Sequence, residues 1–163
     1  MAISWLIDSN VLVYGFFHKR DEEGELEPES KLRLYSRSVM TLAAEGKMNS
    51  FVAQQNLLEF IAIVTSPKRV ASPVMLAEAL RACQAYLSFC SLLTPKPSTY
   101  LTFETLAKKL RGARERIFDF YLAATALDNE VSHICTWNTK HLRPIPGLTA
   151  VTPPQVINLL AAS

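Results

Sequence analysis

Short apolar runs alternate along this chain with longer stretches whose apolar residues recur at helical spacing. Residues 3–7 (Ile-Ser-Trp-Leu-Ile) stop abruptly at Asp8-Ser9-Asn10, the pattern of a buried strand running into a polar turn. Residues 11–17 are apolar enough for a short helix, whereas residues 18–30 are acidic and aperiodic and predict an exposed loop. Leu32, Tyr35, Val39, Leu42 and Ala43 mark the next helix, which Gly46 is placed to end. Residues 51–53 predict a second strand, and residues 54–65 a helix stopped by Ser66-Pro67. Ser72-Pro73 has the form of an N-cap followed by proline at the first helical position. The stripe after it is Met75, Leu76, Ala79, Leu80, Cys83, Tyr86 and Leu87, expected to face the core. Further strands are predicted at 91–94, 133–136 and 148–151. Further helices are predicted at 102–110, ended by Gly112, at 119–129, and from a Thr152-Pro153 cap to Leu160.

Short apolar strands alternating with helices argue for an α/β fold with a parallel sheet covered on both faces. Ligands of such sheets bind beyond the carboxyl ends of the strands, so polar residues just past a strand are the place to look for chemistry. Asp8 stands there, although Asp before Ser-Asn is also a good turn former or helix cap. Glu59 lies among Leu57, Leu58, Phe60, Ile61 and Ile63, where a carboxylate is expensive to bury unless it is paired or metal-bound. Asp119 opens a helix, which the macrodipole alone would favour. Asn138 follows the strand ending at Thr136, where a turn residue would serve as well. Three acids on one rim repel each other by up to about 4 kcal/mol per close pair. A hard divalent ion would offset that repulsion with only one or two direct carboxylates.

The 163 residues favour one domain spanning 1–163, and 49% of them are hydrophobic, enough for a core without disulfide or metal staples. Cys83, Cys90 and Cys135 are an odd number with no CxxC pair, which predicts free thiols and a cytoplasmic setting. No apolar run is long enough to span a membrane. The N-terminus has no basic lead of the secretory kind. Net charge is +2, but six of the 15 acids fall within residues 21–29, so 17 bases face nine acids elsewhere. Lys108, Lys109, Arg111, Arg114 and Arg116 cluster just before Asp119, either to hold a polyanion or as a solvated helix end. The chain contains no GxGxxG, GK[ST], HExxH or GxSxG. Dinucleotide, P-loop, zinc-protease and serine-hydrolase readings are thereby disfavoured.

Four segments taken in order carry a resemblance. Leu6-Ile7-Asp8-Ser9-Asn10-Val11, Asn56-Leu57-Leu58-Glu59-Phe60, residues 119–126 (DFYLAATA) and residues 136–142 (TWNTKHL) together resemble the PIN-domain nucleases, and most of all the VapC-type toxins of bacterial toxin–antitoxin pairs. Ile145-Pro146-Gly147-Leu148 before a strand is similar too. The resemblance implies a three-layer α/β/α sandwich with a mainly parallel sheet, and an acidic site for Mg²⁺, with Mn²⁺ able to substitute. It also implies single-stranded RNA endonuclease activity, a cognate antitoxin and a homodimer. Position by position, Asp8, Glu59 and Asp119 match the catalytic acids, with Asp8 and Asp119 as metal ligands. Ser9 matches the small hydroxyl residue after the first acid. Asn138 stands where many members carry another acid, and His141 where many carry Asp; both departures weigh against a second ion. Arg114, Arg116 and Lys140 are the candidates for holding the RNA backbone.

The expected chemistry is metal-assisted phosphodiester hydrolysis, with Glu59 orienting the attacking water. The alternative is a catalytically weakened PIN-like domain that binds RNA or a protein, to which Asn138 lends support. A receiver-like phosphoacceptor domain would want a second acid beside Asp8, where this chain has Ser9-Asn10.

Overall fold

Alternation along β1 (Ser4–Ile7) divides the interior in two. Trp5 and Ile7 point into one apolar core and Leu6 into the other, and all three are fully buried. The same alternation separates Val52 from Ala53 in β2 (Asn49–Ala53) and Ile134 from Cys135 in β4 (His133–Cys135). With β3 (Ser91–Leu93) and β5 (Thr149–Val151), these strands form one all-parallel sheet in the order β3-β2-β1-β4-β5. Leu6 is in register with Phe51 on one side and Ile134 on the other. The protein is seen here as a computed structural model describing residues 3–17, 28–110 and 114–162.

Helices cover both faces, giving the three layers expected. One core is closed by α1 (Ser9–Phe16), α2 (Pro28–Ala44), α3 (Gln54–Val64), α4 (Leu76–Leu87) and α8 (Pro153–Ala161). The other is closed by α5 (Thr99–Lys109), α6 (Ile117–Asp128) and the single turn α7 (Thr139–Leu142). A 3₁₀ turn at Arg114–Arg116 leads into α6. Gly15 lets α1 and α2 close on each other, since a Cβ there would stand 3.3 Å from the Met40 side chain. Asp128 ties the end of α6 to the start of α5 by accepting from the hydroxyls of Ser98, Thr99 and Thr102. Cys83, Cys90 and Cys135 are all buried free thiols, packed as core residues. Among the described residues no helix is long and apolar enough to cross a membrane.

Several expectations need correction. The exposed loop expected over 18–30 gives way at its end to α2, which starts with Pro28 and is braced by a Glu29–Arg33 pair at 2.8 Å. Residues 18–27, Arg111 and Gly112 lie outside the described residues. Ser72-Pro73 does not cap α4, whose N-cap is Met75. Val74 N–H donates instead to the Val64 carbonyl at 3.0 Å, which pins this segment to the end of α3 in a non-helical course. The α4 stripe is only half core: Ala79, Cys83 and Tyr86 are buried, while Met75, Leu76, Leu80 and Leu87 remain exposed because α4 packs at the edge of the layer.

The end of α2 fits its expected stop. Gly46 adopts φ +68°, its N–H donates to Ala43 O, and Lys47 N–H donates to Leu42 O, the double closure of a Schellman motif. A side chain at Gly46 meets no neighbour within 4 Å, so only backbone strain opposes one. Gly46→Ala is therefore expected to cost about 1 kcal/mol and to lower the melting temperature by about 2–4 °C, as read by circular dichroism.

Candidate active site

The strand order reverses between β1 and β4: from β1 the chain steps outward to β2 and β3, then returns to the other side of β1 to add β4 and β5. The loops leaving β1 and β4 therefore diverge and open a crevice at their carboxyl ends. Asp8 leaves β1 and Thr136 leaves β4, side by side: Asp8 N–H donates to Cys135 O at 3.0 Å, and Thr136 N–H to Val151 O at 2.9 Å.

Asp8 caps α1, accepting from Ser9 N–H at 2.7 Å through Oδ1. Thr136 Oγ1 donates to Oδ2 at 2.6 Å, Asn10 Nδ2 to the same oxygen at 2.8 Å, and Asn56 Nδ2 to Oδ1 at 3.3 Å. Asn10 also accepts from Trp137 N–H at 3.1 Å, and Asn56 accepts from Ala53 N–H at 3.1 Å, so the donors are themselves held. Despite this cradle, burial pushes the Asp8 carboxyl up to about 6, with Glu59 and Asp119 adding to the rise while Thr136 and Ser9 oppose it.

Glu59 is only part-buried, one turn along α3 from Gln55. It accepts from Ser9 Oγ at 2.7 Å and from Gln55 Nε2 at 2.8 Å. The cost of deep burial that made it conspicuous in the sequence is thus not what it meets. It turns out of the apolar face toward Ser9, while its neighbour Leu58 is 67% exposed. Asp119 sits in the first turn of α6, its carboxyl raised by burial and lowered in turn by the charges of His141 and Arg116. His141 Nδ1 lies 3.3 Å from Asp119 Oδ2 and 3.0 Å from Asn138 Nδ2.

Every site residue expected from the sequence except the exposed cations thus falls into this crevice. Asp8, Ser9 and Glu59 form one connected set, and Asp119, His141 and Asn138 another. Asn138 N–H joins the two by donating to Thr136 Oγ1 at 2.9 Å. Arg114 and Lys140 are exposed nearby on the 3₁₀ turn and α7. Arg116 is already engaged: it donates to the His141 carbonyl and stacks 4.9 Å over the Phe120 ring, tethering α7 to α6. Asn10, Gln55, Asn56 and Thr136 escaped the sequence reading. Asn56 is fully buried, although it stands between Gln55 and Leu57 with nothing in the sequence to single it out. Arg33 and Arg69 were also missed. They line a cavity of about 520 Å³ that shares Asn10 with the site, where Arg33 is paired with Glu29.

The donor set is oxygen-rich and hard, the type that suits Mg²⁺ or Mn²⁺. Among the described residues no three His, Cys, Asp or Glu side chains converge enough to hold an ion unaided. An ion that keeps several waters needs only one or two of them, and Asp8 and Asp119 are suited to supply those.

The fold has parallels among solved structures. VapBC2 from Rickettsia felis, bound to a DNA fragment from its promoter, matches at TM-score 0.62 with 15% identity, over 92% of this chain and 98% of that one. PAE2754 from Pyrobaculum aerophilum matches at TM-score 0.61 with 17% identity over the full length of both chains. This chain has the PIN fold. VapBC-1 from nontypeable Haemophilus influenzae shares the PIN fold at TM-score 0.62, with 15% identity over 93% and 99% of the two chains. No family model matches the sequence, and no curated protein is similar to it. At these identities the likeness is one of fold.

A carboxyl titrating near 6 in the folded chain and near 3.8 when unfolded binds its proton more tightly when folded. Its contribution to stability is therefore present at low pH and lost as pH rises from about 4 through 6. In EDTA, the wild type should lose about 3 kcal/mol from this group over that window, by chemical denaturation at each pH. Asp8→Asn, whatever its absolute stability, should show a correspondingly shallower dependence.

Proposed function

We propose that this chain is a divalent-metal-dependent endonuclease of single-stranded RNA, acting as the toxin of a toxin–antitoxin pair. One observation carries the reading: Asp8, Glu59 and Asp119 gather at the strand-order reversal of a PIN fold, where burial raises both aspartates and Glu59 adds to the rise of each. Repelling carboxylates kept together at a sheet's carboxyl edge are a poor structural device and a good cation site. The pairing with an antitoxin is supported by the VapBC neighbours, which share this fold over 92–93% of this chain.

In this mechanism, Asp8 and Asp119 offer the oxygens that hold the ion. When bound, the ion supplies Lewis acidity to the scissile phosphate and offsets the charge that develops there. Glu59, fixed by Ser9 Oγ and Gln55 Nε2, orients the attacking water and accepts its proton. The water oxygen bonds to phosphorus as the bond to the leaving ribose oxygen breaks, and that oxygen takes up a proton from solvent. His141 beside Asp119 supplies charge compensation where an acid would otherwise add to the repulsion. Arg114 and Lys140 attract the backbone.

Mg²⁺ should support cleavage of a single-stranded RNA, EDTA should abolish it, and Asp8→Asn should remove at least 100-fold of the activity on electrophoretic assay. Equal cleavage with and without metal would overturn the reading. Expression of the wild type alone should arrest bacterial growth, and expression of Asp8→Asn should not.

Metal-free Asp119→Asn should melt above the wild type, because burial disfavours the Asp119 charge more than His141 and Arg116 favour it. At Mg²⁺ of 100 times its dissociation constant the wild type should gain about 2.7 kcal/mol, and the variant far less. Identical responses in thermal melts would place the ion elsewhere.

A further inference from the structure

The two helices that carry Glu59 and Asp119 face each other across a gap. α3 packs on α1, α4 and β2, and α6 on α5, α7 and β2, rather than on one another. Between them lies a cavity of about 400 Å³, lined from one side by Gln55, Leu58 and Glu59 and from the other by Phe118 and Tyr121. Close packing therefore does not set the distance from Glu59 to Asp119, as it does for residues within a core. The bond from Asn138 N–H to Thr136 Oγ1 ties the Asp119 side to the strand ends, but it does not reach Glu59.

One side chain crosses the gap. Gln55 Nε2 donates to Glu59 Oε1 at 2.8 Å and to the Phe118 carbonyl at 3.0 Å. The first bond runs along one turn of α3, between positions that share a helix face. The second reaches α6. The Phe118 carbonyl belongs to the same planar peptide as the Asp119 nitrogen, so holding one holds the other. A primary amide suits the task, because its nitrogen offers two donors in one plane. Reversing the amide would set its oxygen against two acceptors. The bond to Phe118 is solvent-exposed, where a hydrogen bond adds little to stability. Gln55 Oε1, meanwhile, is buried with no donor among the described residues. A glutamine placed for stability alone would not combine an exposed bond with a buried unpaired oxygen, whereas one placed to hold a geometry can.

We propose that Gln55 is a positioning residue for the hydrolysis: a single amide nitrogen sets the separation between the acid that orients the water and the acid that holds the ion. The proposal rests on the nuclease reading for the roles of Glu59 and Asp119, and on geometry alone for the strut between them. Catalytic groups have to be held within about 0.5 Å of their productive places by the side chains behind them. Gln55 does this for two acids at once, from a position that itself takes no part in the chemistry.

Gln55→Leu removes both bonds and the unpaired oxygen at similar size, and should melt within about 4 °C of wild type. Gln55→Asn keeps the amide but is one methylene too short to span both acceptors, and serves as the second variant if the first does not fold. With Mg²⁺ and a fluorescently labelled single-stranded RNA 12-mer, either variant should show kcat lowered about 10- to 100-fold and KM within about twofold of wild type. Gln54→Leu, at the exposed neighbouring position, should match wild type. Crystal structures of the metal-free proteins read the geometry without activity: the distance between the Glu59 and Asp119 carboxylates should change by about 0.5 Å or more in the Gln55 variants. An unchanged distance or an unchanged kcat would overturn the proposal. So would a raised KM with kcat intact, which would make Gln55 a contact for RNA. If the distance changes but wild type cleaves no RNA with Mg²⁺, the nuclease reading fails and the strut stands. If wild type cleaves and neither kcat nor the distance responds, the strut fails and the nuclease reading stands.

Discussion

A carboxylate with only 7% of its surface exposed must be given hydrogen bonds, and satisfying Asp8 organises the centre of this protein. The donors come from places far apart in sequence: Ser9 N–H and Asn10 from α1, Asn56 from α3, Thr136 from beyond β4. Each can reach Asp8 only if β1 lies between β2 and β4 in the observed register. The polar knot and the strand order therefore require one another. Two apolar cores close against the sheet from either side and hold that order; the knot marks the position where the order turns.

Satisfaction is incomplete by design of the surroundings. Four donors leave Asp8 still raised to about 6, because burial outweighs them and two further acids add their repulsion. The two flanks meet this strain differently. Glu59 is held by neutral donors, Ser9 and Gln55. Asp119 is tempered by His141 and Arg116, with Arg116 also locking α7 so that the imidazole stays in place. A site built this way keeps buried carboxyls above their ordinary range. Glu59 lines an apolar cavity, and Arg114 and Lys140 are exposed on the elements that flank Asp119 and His141.

Much of the architecture was legible because hydrophobic period is a local property. The five strands were each anticipated to within a residue or two, and the helices that carry one apolar stripe followed. α4 was the exception. Its cap signature at Ser72-Pro73 was overridden by the Val74–Val64 backbone bond, and its stripe counted as core positions that an edge helix leaves in solvent. The single-turn α7 and the 3₁₀ turn before α6 are too short to leave a periodic trace.

For the site, the sequence by itself determined the chemistry available: one acid just past a strand, one in an apolar helix, one opening a helix, and an asparagine and a histidine where the resembled family often has further acids. It could do so because residue type and strand-end position are local facts. Only the tertiary structure decided how those groups are used. Asn10, Asn56 and Thr136 became the Asp8 cradle, Arg116 turned inward to Phe120 and the His141 carbonyl, and Gln55 was left with an unpaired oxygen beside an open aromatic pocket. These roles depend on which segments the sheet brings within 3–4 Å of each other, and nothing in the spacing of Asp8, Asn56 and Thr136 along the chain encodes that distance.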